Sequence, residues 1–418
     1  METRIKQVSI AALFFLLFSG VMNVFAQNNE KYFTISGVVK DNSNKKKLEY
    51  VNISVLGTNL SSITNADGVF VLKVKDSIQA KEVEFSRLGY FSTRIPLSGK
   101  DLSDQTFYLN PNEKQLKEVV VKSWENPESL VREAIRRVGD NYSNKPNMLT
   151  GFYRETIQKG NKFINISEAV IDVYKNSYAQ GGVVDRVQVL KGRELLTTKV
   201  SDTLAVKLLG GPNLSIYADI VKNPDFLLDE ESLSNFNFKM ENSEFLDNRQ
   251  QYVVSFKPAV NLPYPLYYGT LYIDRETLAF TRAEFYLDMD DRNKATEVIL
   301  RRKPAGLRFK PDEVAFVVSY KQRDGKSYLN YIRNEVKFKC DWKRRLFATN
   351  YTVLSEMVVT ECNGAVSNIP RKEAFNQNES LGDKVMSFYD DNFWGAYNII
   401  PPTESLELAV DKLKKEHK

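Results

Sequence analysis

Residues 328–340 read YLNYIRNEVKFKC and residues 346–360 read LFATNYTVLSEMVVT, with Asp341-Trp342-Lys343-Arg344-Arg345 between them. In the first run Ile332, Val336, Phe338 and Cys340 alternate with Arg333, Glu335, Lys337 and Lys339. Alternation of period two marks a strand with one buried face. In the second run Phe347, Tyr351, Val353, Met357 and Val359 share a face. Two such runs joined by a short polar turn predict a long antiparallel hairpin. Centring the turn between Lys343 and Arg344 sets Cys340 opposite Phe347, Phe338 opposite Thr349 and Val336 opposite Tyr351. Apolar side chains then mostly meet apolar ones.

Strands of the same kind precede the hairpin. Phe152 to Gln158 and Phe163 to Tyr174 flank Lys159-Gly160-Asn161, a hairpin signal. Val184 to Lys191, Phe236 to Met240, Tyr252 to Phe256, Tyr267 to Ile273, Ala279 to Leu287 and Val314 to Lys321 follow. About ten consecutive antiparallel strands predict one large curved sheet or open half-barrel. Upstream, Val51, Ile53 and Val55, then Phe70, Leu72 and Val74 after Asn65-Ala66-Asp67-Gly68, then Val83 and Phe85, then Phe107 and Leu109, read as short strands of a β-sandwich. The fold class is therefore mainly β with a few helices. One helix is expected after Asn126-Pro127-Glu128, with Leu130, Ala134, Ile135 and Val138 on one face. A second is expected from Asp202 to Leu209, stopped by Gly210-Gly211-Pro212. A third follows a Thr403 cap, with Leu406, Ala409, Val410 and Leu413 as its stripe.

Composition excludes several chemistries. The chain has one histidine, His417, and two cysteines in 418 residues. Serine–histidine or cysteine–histidine catalysis and His-ligated zinc have no residues to use. In the hairpin, Cys362 lies 15 residues beyond the position opposite Cys340, or roughly 50 Å at about 3.3 Å per residue. A disulfide needs Cα atoms within about 7 Å, so two unpaired thiols are expected. The net charge of +5 is mild and spread along the chain, so nucleic acid is not an expected partner. Arg4 and Lys6, the apolar run Ile10 to Phe18, and Val24-Phe25-Ala26 before Gln27 read as a secretory signal. That run is short for a spanning helix, and no later segment is long and apolar enough to span a bilayer. The expected location is periplasmic or outer-membrane-associated.

An ordered series then points to a family. Ile35-Ser36-Gly37-Val38-Val39 with Asp41, Leu48, Val51-Asn52-Ile53-Ser54-Val55 and Gly57-Thr58 come first. Thr64-Asn65-Ala66-Asp67-Gly68-Val69-Phe70, Phe85-Ser86-Arg87-Leu88-Gly89-Tyr90 and Leu116-Lys117-Glu118-Val119-Val120-Val121 complete it. Over residues 33–121 this resembles the carboxypeptidase regulatory-like domain, a transthyretin-like sandwich common at the front of Gram-negative outer-membrane receptors. The resemblance implies a non-catalytic module. The plug and large barrel that follow it in those receptors have no counterpart in residues 122–418. Tyr268-Gly269-Thr270-Leu271-Tyr272-Ile273-Asp274 with Ala279 to Leu287 loosely resembles the hairpins of periplasmic lipoprotein carriers, whose half-barrels cradle acyl chains. The organisation expected is a signal peptide at 1–26, the sandwich at 31–121, a linker helix within 122–147, the curved sheet at 148–375 and a helical extension at 376–418.

Four constellations bear on chemistry. Asp67 in its Asn-x-Asp-Gly turn lacks the further oxygen ligands a calcium loop needs, so a tight turn is expected. Asp288-Met289-Asp290-Asp291 and Asp229-Glu230-Glu231 offer carboxylates for a hydrolase, but sit where acidic side chains are simply solvated. Asn261 to Tyr268 (NLPYPLYY) reads either as a lip touching a ligand or, preferably, as a proline-stiffened approach whose tyrosines pack on the sheet. Arg301-Arg302-Lys303, Arg308 and Lys310 read as a solvated, irregular basic loop rather than a lipid-headgroup contact. No catalytic, cofactor-binding or metal residue is assigned, no cofactor is expected, and the ligand residues are not identifiable from these patterns. The reading is a non-enzymatic exported envelope protein for binding or assembly, whose curved sheet takes an apolar, lipid-like ligand or an envelope partner protein. The alternative is a carboxylate-dependent hydrolase of envelope glycans.

Overall fold

A computed structural model of the chain describes residues 31–112, 124, 126–179, 183–197, 204–208, 210–342, 348–363, 366–376, 381, 385 and 393–416. The expected signal at 1–26, the Leu116–Val121 end of the family series and His417 lie outside them.

Seven short strands build the N-terminal part: β1 (Tyr32–Asp41), β2 (Asn52–Val55), β3 (Ser61–Ile63), β4 (Val69–Lys75), β5 (Glu82–Ser86), β6 (Thr93–Pro96) and β7 (Leu102–Leu109). They form two sheets, ordered β4-β1-β7 and β3-β2-β5-β6. Along β1, Phe33, Ile35 and Val39 point inward and meet Phe70, Leu72 and Val74 of β4. Phe70, Phe85 and Phe107 meet at the centre, with centroids 4.6–5.6 Å apart and Phe85 stacked on Phe107. Only a glycine fits at Gly37, because a Cβ there would sit 2.0 Å from the Gln105 carbonyl oxygen. That close approach coincides with a register shift in the parallel β1–β7 pairing.

Beyond the sandwich lies helix α1 (Pro127–Arg136), followed by the single turn α2 (Val138–Asn141). The Asn126 side chain accepts from Glu128 N at 2.9 Å, as its capping position leads one to expect, and Leu130, Val131 and Ala134 are buried.

The rest is dominated by one antiparallel sheet of 11 strands that does not close into a barrel. Its strands are β8 (Asn147–Lys159), β9 (Lys162–Lys175), β10 (Arg186–Leu196), β12 (Phe236–Met240), β13 (Glu244–Leu246), β14 (Arg249–Pro258), β15 (Tyr267–Asp274), β16 (Phe280–Leu287), β18 (Leu307–Arg323), β19 (Lys326–Trp342) and β20 (Thr349–Asn363). The order is β10-β9-β8-β20-β19-β18-β16-β15-β14-β12, with β13 also on β14. A separate pair joins β11 (Lys207–Leu208) to β17 (Leu300–Arg302). The helices α3 (Pro212–Tyr217), α4 (Arg292–Ile299) and α5 (Glu404–Glu416) complete the elements.

The two faces of this sheet have different covers. On the inner face, α1 and residues 216–236 pack against Tyr153, Ile171, Val254, Phe285 and Phe316. On the outer face, Ile63 of the sandwich meets Phe152, Val170, Tyr331 and Val358, together with Phe393, Trp394 and Ile400. Strands β8 and β9 are thus covered on both sides. That is why each carries an unbroken run of buried residues, 151–154 in β8 and 166–171 in β9, instead of alternation.

Three expectations need correction, and one element is additional. The long hairpin pairs Cys340 with Thr349, Phe338 with Tyr351 and Val336 with Val353. This register is centred one residue further on than expected, which moves each partner by two and so keeps the same faces together. The expected helix at 202–209 is absent where it is described: Lys207–Leu208 is strand, and the helix begins instead at Pro212. Proline suits the first turn of a helix, so the Gly-Gly-Pro read as a stop is a start. Arg308 and Lys310 lie in β18, not in an irregular loop, and Pro311 is accommodated by a register shift between Pro311 and Glu313. Helix α4 was not foreseen; Asp291 caps it, accepting from Asn293 N at 2.9 Å. Both cysteines are free and buried, as the hairpin geometry requires.

The outer face holds a buried charge cluster. Glu168 accepts from Arg154 at 2.8 Å and from Arg193 at 2.7 Å, and all three side chains are at most 9% exposed. Burial alone would push the Glu168 carboxyl up, but the two guanidinium groups outweigh it and hold it below its usual 4.5. Its contribution to stability is therefore present above about pH 4.5 and lost as pH falls through the lowered folded value. Arg193 also stacks on Trp394 at 4.9 Å, and Arg154 donates to the Ile400 carbonyl at 2.6 Å. Replacing Glu168 by Gln leaves two buried cations without a counter-charge. Glu168→Gln is expected to lower unfolding free energy by about 3–5 kcal/mol in urea titrations at pH 7, whereas Arg308→Ala, at a 69% exposed side chain, should change it by less than about 0.5 kcal/mol.

Candidate ligand cavity

The inner face is closed over by residues 210–236, which the sequence gives little reason to place there. The fastening is ionic. Asp219, fully buried, receives Lys175 Nζ at 2.7 Å, the Tyr178 hydroxyl at 2.9 Å and the Tyr320 hydroxyl at 2.7 Å. Lys175 also reaches Asp185 at 2.6 Å. Lys222 donates to the Ser177 carbonyl at 2.6 Å, and burial pushes its ammonium below the usual lysine value. Strands β9 and β18 are thereby tied to the covering segment at one end of the sheet.

Between that segment and the sheet lies a cavity of about 560 Å³. Its floor comes from alternate residues of three adjacent strands: Val314 and Phe316, Asn334 and Val336, Val353 and Ser355. Leu214, Tyr217, Phe226 and Leu227 form the roof, and Val298 and Ile299 of α4 the wall. The rings interlock. Phe226 stacks on Tyr267 at 5.3 Å and meets Phe316 edge-on at 5.4 Å, while Phe285 stacks on Phe316 at 5.0 Å. Among the polar side chains in this mostly apolar lining, Asn334 stands out. Asn334 is 6% exposed, its amide nitrogen donates to Ser215 Oγ at 3.3 Å, and its carbonyl oxygen Oδ1 has no hydrogen-bond partner. Such an acceptor is costly to bury unless a donor reaches it.

Glu155 stands behind the Gly210-Gly211 rim, where the Tyr153 hydroxyl donates to it at 2.9 Å. Burial raises its carboxyl above the usual 4.5, against hydrogen bonds from Tyr153, the Gly211 backbone and Ser355 that lower it.

The residues singled out from the sequence divide as follows. Tyr264, Pro265, Leu266 and Tyr267 of the NLPYPLYY run line the cavity, with Tyr264 56% exposed at its edge. Tyr268 faces the other way and stacks on Tyr286 at 5.4 Å, which is the sheet packing expected for this run. Helix α4 holds the run in place, since Lys294 donates to Asn261 Oδ1 and the Leu262 carbonyl, both at 2.6 Å. Of the acidic groups, Glu230 pairs with Arg132 and Arg136, Asp291 caps α4, and Asp229 lines the cavity while accepting from Ser232 Oγ at 2.6 Å. Asp67 accepts from Glu404 N at 2.8 Å and stands before Gly68 (φ +70°), the tight turn expected. Lys303 donates to the Leu307 carbonyl at 2.8 Å, and Arg302 lies on β17 opposite Lys207. The roof residues and Asn334 were not foreseen. The roof carries no periodicity to betray it, but an asparagine on the apolar face of β19 was a visible irregularity.

With this geometry in hand, the sandwich takes its place among known domains: residues 35–121 match the CarboxypepD_reg-like domain family. No curated protein matches the chain. Solved structures similar to it include a domain provisionally assigned to outer-membrane lipoprotein sorting from Vibrio parahaemolyticus, at 10% identity over 58% of this chain and 94% of that one, TM-score 0.30. A LolA superfamily protein from Nitrosomonas europaea is similar at 10% identity over 60% and 97%, TM-score 0.27. A DUF1329 family protein from Desulfovibrio piger is similar at 11% identity over 58% and 95%, TM-score 0.25. Among the described residues no helix is long and apolar enough to cross a membrane.

The raised Glu155 carboxyl makes a pH-dependent difference. Because the folded state holds its proton more tightly than the unfolded chain, stability falls as pH rises from about 4.5 through the raised folded value, and is flat above it. Glu155→Gln, which keeps an acceptor and removes the charge, is expected to raise the thermal midpoint at pH 7.5 by about 1–3 °C and to leave it unchanged at pH 4, as followed by circular dichroism.

Proposed function

We propose that the protein is a non-catalytic, exported cell-envelope binding protein whose curved sheet holds an apolar ligand. The cavity over β18, β19 and β20 carries this reading. Its volume lies within the range of about 300–1,000 Å³ that binding sites for small molecules occupy. Its lining is mainly aliphatic and aromatic, and Asn334 Oδ1 supplies an unanswered acceptor that a ligand donor or a bound water would satisfy. The tyrosine–proline run at 264–267 serves as the lip through which the ligand passes.

In the same reading the regulatory-like sandwich (31–121) is a docking and folding module, the helix within 122–147 a linker packed on the sheet, 148–375 the binding domain and 376–418 an extension that closes its outer face. The sandwich's hydrogen bond from Ser61 Oγ to the Val359 carbonyl at 2.9 Å, and the pairing of Lys321 with Glu84 at 3.4 Å, support a buttressing role. Export rests on the basic and apolar pattern of residues 1–26.

Native mass spectrometry and lipid extraction of the purified protein are expected to find a bound lipid-like molecule, and a fluorescent fatty-acid probe is expected to bind at one site per chain. Val336→Trp places an indole in the middle of the cavity floor. It is expected to weaken probe binding at least tenfold, or about 1.4 kcal/mol, while the thermal midpoint stays within about 3 °C of the parent. Full probe affinity in a folded Val336→Trp protein would mean that the ligand sits elsewhere.

A further inference from the structure

The apolar chamber continues past the segment that covers it. A second cavity, also of about 560 Å³, lies against the first and shares Gly210, Leu214, Tyr217 and Asp225 with it. The Tyr217 hydroxyl donates to Asp225, so this pair spans the boundary between the two spaces.

The far wall of the second cavity has a different chemistry. Arg186 at the start of β10, Arg301 on β17 and Arg371 in the 366–376 segment all line it. Three stretches distant in sequence each bring a guanidinium to one opening. Arg186 is set in place by donating through Nη1 to Asn368 Oδ1 at 2.9 Å and to the Ile369 carbonyl at 2.7 Å. A guanidinium has five N–H donors in a planar fork, so these two bonds leave capacity for an anion. Arg301 and Arg371 are exposed at the rim. The opposing charge is smaller than the two aspartates in the lining suggest. Asp185 belongs to a balanced cluster, in which it and Asp219 share Lys175 at 2.6 and 2.7 Å with the Lys222 ammonium nearby, and it also accepts from Asn176 N at 2.8 Å. Among the described lining residues, that leaves the Asp225 carboxylate facing the same space as Arg186, Arg301 and Arg371.

We propose that the two cavities form one site for an anionic amphiphile, with its tail in the chamber over β18–β20 and its carboxylate or phosphate head at Arg186, Arg301 and Arg371. This rests on the reading of the chamber as an apolar-ligand site and adds the chemistry of the head. The arrangement suits such a molecule physically. A tail enters where no charged side chain forms the floor, while the head stays at a rim wet enough that its charge is never fully desolvated. Arginine forks match the planar, bidentate geometry of a carboxylate or a phosphate. A neutral amphiphile would gain nothing from the three cations.

The experiment compares oleate, oleyl phosphate and oleyl alcohol binding to the full chain by calorimetry at low and at physiological ionic strength, with Arg301→Gln/Arg371→Gln alongside. The anionic ligands are expected to bind at least about tenfold more tightly than the alcohol at low salt, with a smaller margin at higher salt. In the double variant that margin should shrink below about threefold while alcohol affinity is unchanged. Both replaced side chains are exposed, and Arg371→Gln alone serves if the double variant does not fold. Preference for oleate or for oleyl phosphate identifies the head, and either supports the site. Equal affinity for alcohol and oleate, or an undiminished margin in the variant, would overturn the head site and leave the chamber standing. Binding of none of the three would overturn the chamber reading, and this one with it.

Discussion

The carboxylate of Asp219 is the point on which the inner face depends. It has no exposure to water, and it is satisfied because Lys175, Tyr178 and Tyr320 converge on it from the sheet and the loop that leaves β9. A buried charge without such partners would cost several kcal/mol. The residues around Asp219 are therefore constrained to one position over the sheet, and the rest of the covering segment follows from that anchor. Without it, α3 and Phe226 would have no reason to stand off the floor at a distance that leaves a cavity.

That arrangement also explains why a sheet of this width is stable while open. A curved antiparallel sheet usually leaves one face to water or closes into a barrel. Here both faces are occupied, by α1 and residues 216–236 inside and by the sandwich and the 393–402 stretch outside. The gap that remains lies where the covers are least continuous, between the roof and the floor formed by β18, β19 and β20. Its lining rings pack on one another face to face and edge to face, and so hold it open.

Much of this was legible in the sequence, for a physical reason that also sets the limit. Period-two alternation in 328–340 reports which face of β19 is buried, and Asn126 and Thr403 report helix starts through side-chain chemistry confined to a few residues. The exact register of the long hairpin was not legible, because pairings two residues apart place the same side chains on the same faces. Residues 210–236 were not legible at all. Their position is decided by contacts with residues a hundred or more positions away, such as Asp219 with Tyr320 and Ser215 with Asn334, and no local pattern encodes such long-range hydrogen bonds. The Asn261–Tyr268 run shows the intermediate case. Its composition announced something unusual, but whether a given tyrosine faces the cavity or the outer sheet depends on strand parity that begins only at Tyr267.

The stretch 393–402 touches the large sheet and the sandwich at once. Phe393 and Trp394 sit on the sheet, Asn398 exchanges hydrogen bonds with the Lys73 backbone at 2.7 and 3.1 Å, and Asn65 donates to the Pro401 and Pro402 carbonyls at 3.2 and 3.0 Å. It lies downstream, in order of synthesis, of everything it joins. The sandwich, whose core is closed by its own strands, has what it needs to form as soon as it emerges. The union of sandwich and sheet, by contrast, waits until residues 393–402 have been made. A chain threaded through a membrane in order would thus hold its finished half beside an unfinished one until the clasp arrives, and the cavity would take shape only near the end of that passage.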